Sequence, residues 1–76
     1  MKFEAGNIYE MTFVTDSKLR PKFICTKRAP KTVVMEDIND REVLRRRIKT
    51  DIDGNEYIVD GNYSMAPTIN SKRVVA

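Results

Sequence analysis

The chain contains no histidine and a single cysteine, Cys25. Together these absences remove imidazole ligands, thiolate clusters, a disulfide within the chain and the usual general base. Most nucleophilic mechanisms go with them. Cys25 lies between Ile24 and Thr26 in a strand-like run, where a buried, inert thiol is expected. Only three glycines occur, Gly6, Gly54 and Gly61, too far apart to form a glycine-rich phosphate loop. No apolar run approaches the roughly 18 residues of a membrane helix, and MKFEAGNIYE has acids where a signal peptide would be apolar. The expectation is a cytoplasmic protein with no membrane partner.

What remains is 76 residues, 41% hydrophobic and 33% charged, with a net charge of +3. That is apolar enough to fold and short enough for one domain only, residues 1–76. The firmest local signal is Val43 to Val59, VLRRRIKTDIDGNEYIV, where Asp53-Gly54 separates two alternating runs. Aspartate and glycine tolerate the positive φ of a tight hairpin turn, so two antiparallel strands are predicted. With those two residues as the loop, Thr50 faces Tyr57 and Ile48 faces Val59. Ile48, Ile52, Tyr57 and Val59 then share one face, and Arg45, Arg47 and Lys49 the other. A three-residue loop would split the apolar set.

Earlier in the chain, Ile8 to Val14 alternates, with Tyr9, Met11 and Phe13 on one side. Thr15 to Pro21 is a polar connection, and Lys22 to Arg28 reads as the second strand. A tip at Ala29-Pro30-Lys31, expected to be a loop of about four residues, leads to the β-branched run Thr32-Val33-Val34-Met35. The segment Met35 to Ile48 carries acids early and arginines late, which a helix dipole would favour, but Asn39-Asp40 interrupts it. The last run, Arg73 to Ala76, is placed to pair with the first strand and close the sheet. Met65 is expected to cap the open end of the barrel, with Pro67 returning Ile69 and Val74 to the core. The fold class expected is all-β: a five-stranded antiparallel meander or a small SH3-like or OB-like barrel.

Candidate sites divide by charge. Asp51, Asp53 and Asp60 fall at EF-hand positions if Gly54 is the loop glycine, but Lys49 then occupies the first ligand position and the following residues are strand-like. Glu36, Asp37, Asp40 and Glu42 read as a solvated turn, and Ser64 has no base near it in sequence. No metal, cofactor or enzymatic activity is expected. The basic residues are more informative. Lys18, Arg20, Lys22, Lys27, Arg28 and Lys31 lie in fourteen residues without an acid, and Arg45-Arg46-Arg47 with Lys49 forms a second cluster. In a meander these clusters sit two strands apart and make a face able to follow a phosphate backbone, or simply to keep a small sheet soluble. Arg46, by alternation, points toward the face of Ile48 and needs an acidic partner such as Glu36, or a ligand.

Three motifs, Thr26-Lys27-Arg28-Ala29-Pro30-Lys31-Thr32-Val33, Arg46-Arg47-Ile48-Lys49 and Gly61-Asn62-Tyr63-Ser64-Met65-Ala66-Pro67, resemble a family of short bacterial proteins of phages, plasmids and conjugative elements. The resemblance runs from Gly6 to Ile69 and brings no catalytic residue with it. It implies an accessory protein of a mobile element that acts on nucleic acid or on a host protein. The leading expectation is a nucleic-acid-binding module with Lys27, Arg28, Lys31, Arg45, Arg47 and Lys49 as phosphate contacts and Tyr63 as a stacking residue. The alternative is a protein-binding inhibitor of a host factor, anti-defence or anti-CRISPR in type, with Tyr57, Tyr63 or Met65 exposed. An edge strand left open would make a homodimer natural.

Overall fold

In the computed structural model, which describes residues 1–16, 18–61 and 65–75, alternating apolar residues form seven strands and, among the described residues, no helix. They are β1 (Ile8–Thr12), β2 (Lys22–Arg28), β3 (Thr32–Asp37), β4 (Val43–Arg47), β5 (Lys49–Thr50), β6 (Glu56–Val59) and β7 (Thr68–Val74). All pairings are antiparallel, in the order β4-β3-β2-β1-β7-β6-β5. The order is sequential except where β1 meets β7, so the meander and the closing contact between first and last strands both hold. The two ends of the sheet, β4 and β5, are consecutive in the chain and separated only by Ile48. The result is a nearly closed barrel with extents of 30 × 30 × 21 Å.

Seven strands replace the expected five because one segment read as a single strand divides and the closing run, short in the sequence, forms a full strand. The Val43–Thr50 segment turns a corner at Ile48, where the amide donates to the Lys31 carbonyl at 2.9 Å; before it the chain pairs with β3, after it with β6. The final strand begins at Thr68, and its far end, Val74, is half exposed rather than in the core. Asn39-Asp40 form a turn, not part of a helix, held by Asp37, whose carboxylate accepts the Asn39 amide at 2.8 Å.

The hairpin register also differs from the expected one. Lys49 pairs with Tyr57 and Thr50 with Glu56, which makes Ile52, Asp53 and Gly54 a three-residue loop closed by the Asp51 amide donating to Asn55 at 2.9 Å. Gly54 takes the positive φ of 84° that this loop needs. One step of register reverses every side chain. Ile58 and Glu56 therefore point inward, Tyr57 and Val59 lie on the outer surface, and Ile52 is 99% exposed at the tip. At the other hairpin the Ala29 amide donates to the Thr32 carbonyl, so Pro30 and Lys31 alone form the tip. Proline precedes the second turn position here, which removes the objection to a short loop.

The interior is filled by Tyr9, Met11, Phe23, Cys25, Val33, Met35, Leu44, Ile58 and Ile69, with Phe13 and Ile48 against them. Burial raises the Cys25 thiol pKa, as suits an inert core residue. Met65, expected as the cap, is 49% exposed, whereas Ala66 and Pro67 are buried. Phe3 does the filling instead, packing edge-on to Tyr9 at 5.0 Å between ring centroids. Its segment is tied down by polar contacts. The Met1 carbonyl accepts from the Ser71 hydroxyl at 2.7 Å and the Glu56 amide at 2.9 Å, and the Glu56 carboxylate accepts from the Phe3 amide at 2.9 Å.

Candidate nucleic-acid interface

The basic segments owe their arrangement to a β-bulge. Cys25 pairs with Met35 but Lys27 pairs with Val34, so Thr26 is the extra residue on β2. Without it, strict alternation would carry Lys27 inward behind Phe23 and Cys25. The bulge turns Lys27 out and sends Arg28, opposite buried Val33, inward.

Arg28 is accordingly withdrawn from the expected phosphate-contacting set. Its guanidinium grips Glu56 with both terminal nitrogens, Nη1 on Oε1 and Nη2 on Oε2, the latter at 2.8 Å. The pair is largely sheltered, with side-chain exposures of 23% and 11%. Hydrogen bonding from Arg28 holds the Glu56 pKa below its ordinary value, and the same bond raises the pKa of Arg28. Arg46 is likewise engaged. It faces inward as alternation requires, and its acidic partner is Asp60, at 2.8 Å, rather than Glu36. Glu36 is taken by Arg41 at 3.1 Å.

The other residues of the expected phosphate-contacting set lie on the outside. On the outer face of β2, β3 and β4, Lys27, Val34 and Arg45 occupy one cross-strand row, and Thr32 and Arg47 occupy the next. Lys27, Ala29, Thr32, Val34 and Arg45 line a small depression there. Lys31, at the hairpin tip, is brought beside the β4–β5 corner by its carbonyl's bond to Ile48. Lys49 continues the outward row of Arg45 and Arg47 past the corner, and its register partner on β6 is Tyr57. Lys27, Lys31, Arg45, Arg47 and Lys49 are exposed and form no ion pair among the described residues. Of the six expected phosphate contacts, five are thus exposed: Lys27, Arg45 and Arg47 on the outer face of β2 and β4, and Lys31 and Lys49 near the Ile48 corner. Tyr63, the expected stacking residue, and Ser64 lie outside the described residues.

The row ends at the acidic loop after Thr50. Asp51 is directed at that loop, accepting the Asn55 amide at 2.8 Å, the Asp53 amide at 2.9 Å and the Asn70 side-chain amide at 3.1 Å. The Asn55 bond leads in lowering its pKa. These contacts make Asp51 a turn former in place of the calcium ligand considered above. Among the described residues no group of three or more acidic or cysteine side chains is arranged to hold a metal ion.

No protein-family model, curated protein or solved structure matches this chain.

Proposed function

We propose that the chain is a non-enzymatic small β-barrel that binds nucleic acid through Lys27, Lys31, Arg45, Arg47 and Lys49, as an accessory protein of a mobile element. The supporting observation is the sorting of cations: Arg28 and Arg46 are turned to acids, while these five stay outside without an acidic partner among the described residues. A surface that only needed solubility would gain as much from interspersed signs. Clustered cations of one sign instead attract a polyanion and release its counterions on contact.

A titration of labelled single-stranded and duplex oligonucleotides at about 50 and 200 mM salt is the test, with the triple alanine variant of Arg45, Arg47 and Lys49 beside the wild type. Affinity should fall at least about tenfold across that range, and the variant should bind weakly with a salt slope shallower by about 2. Absence of binding at the lower salt would remove the proposal.

A second reading, a protein-binding module that inhibits a host factor, draws support from Ile52, 99% exposed on a hairpin tip. An apolar side chain held so far out is suited to enter a partner's pocket. On that reading Ile52→Asp abolishes capture of the partner, and raised salt leaves the capture intact.

A further inference from the structure

Resting on the nucleic-acid reading, we infer that the bound species is a single strand laid along β4 and β5, with one base stacked on Tyr57. Arg45, Arg47 and Lys49 occupy alternate positions of one chain segment and all point outward, with Arg46 and Ile48 between them on the inner side. Alternate residues of an antiparallel strand are about 6.8 Å apart, a repeat that an extended polynucleotide backbone can follow phosphate by phosphate. The row also bends. At Ile48 the segment leaves the β3 ladder and joins β6, so Arg47 and Lys49 stand on the two arms of a corner. A flexible single strand can turn such a corner phosphate by phosphate, whereas the phosphates of a duplex are held on a fixed helix and cannot rearrange to follow it.

Tyr57 completes the track. It is directly across from Lys49 and beside Asn70, on the outer face of β6, while Glu56 and Ile58 on either side point inward. Its ring is therefore the aromatic surface at the end of the cationic row, where a base splayed from the last phosphate would land. Lys27 and Lys31 flank the other arm and add charge without setting direction. The Asp51–Asn55 loop ends the track, because its acidic residues repel further phosphates.

The experiment compares a thymidine homopolymer of about 12 nucleotides with a duplex of the same length, against wild type, Tyr57→Leu and Tyr57→Phe. The single strand is expected to bind at least about tenfold tighter than the duplex. Tyr57→Leu should lose at least about fivefold for the single strand and nothing for the duplex, with Tyr57→Phe near wild type. Photocrosslinking of the wild-type chain to a bromouracil-substituted strand needs no variant to fold, and should place the adduct on Tyr57. Equal affinity for both forms, with no effect of Tyr57→Leu or with crosslinks only on β2 and β3, would overturn the single-strand track and leave the basic face intact. Failure of both forms to bind would remove the nucleic-acid reading itself, and this inference with it.

Discussion

Lys27 and Arg28 are neighbours in sequence with opposite roles, and the difference is measurable. Arg28→Ala strands the Glu56 carboxylate in a sheltered position, so a loss of about 2–3 kcal/mol is expected in urea unfolding. Lys27→Ala, on the outer face, should cost less than about 0.5 kcal/mol. Glu56 also gives the protein an acid limb. Because its pKa is lower folded than unfolded, its contribution is complete above the ordinary value of 4.5 and is lost as pH falls through the folded value. Glu56→Gln should therefore be less stable than wild type at neutral pH, with the gap narrowing on acidification below about pH 4. Parallel stability profiles for the two proteins would show that the carboxylate's charge contributes nothing.

Among the elements, the hairpin loop carries the clearest backbone demand. Gly54 has a φ of 84°, and a Cβ there would meet no atom within 4 Å, so the penalty for Gly54→Ala is conformational alone. It should be about 1–2 kcal/mol, and Gly54→Asn should recover part of it, as read by thermal unfolding. This loop also shows where sequence stopped being legible. Asp53-Gly54 announced a hairpin, and a hairpin is there, but the same dipeptide serves a two-residue loop or the last two positions of a three-residue one. Gathering Ile48, Ile52, Tyr57 and Val59 on one face favoured the two-residue loop, which would have left Ile58 outside; the structure buries Ile58 and exposes Ile52 instead. The buried partner of Arg28 is what distinguishes the two registers, since only the three-residue loop turns Glu56 inward. β2 was legible to the residue because Phe23 and Cys25 alternate cleanly, whereas the bulge at Thr26 left no mark in the pattern. Of the expected basic residues, Lys27, Lys31, Arg45, Arg47 and Lys49 are exposed, as strand alternation and turn placement led one to expect, and Arg28 is not, because of that bulge. Phe3 was missed because it belongs to no alternating run and fills the core from an irregular segment.

At the scale of the whole molecule, the barrel is uneven in its ladders. β1, β2 and β3 are paired on both sides, while β5 contributes two residues and one neighbour. Amide hydrogen exchange should be slowest in the former and fastest at Lys49 and Thr50. The gap between β4 and β6 is spanned by Arg46 and Asp60, half-exposed groups whose pairing is worth less than about 1 kcal/mol. Closure therefore depends on chain continuity through Ile48 more than on that ion pair. The two ends of the ribbon are one piece of chain, so at this seam they cannot part further than the backbone through Ile48 allows. Arg47 and Lys49, two residues apart in the chain, keep their spacing if the barrel loosens; what can change is the angle between the two arms that carry them. If a strand binds across this corner as proposed, its affinity reports that angle, and core substitutions that splay the two arms should weaken it before the protein unfolds.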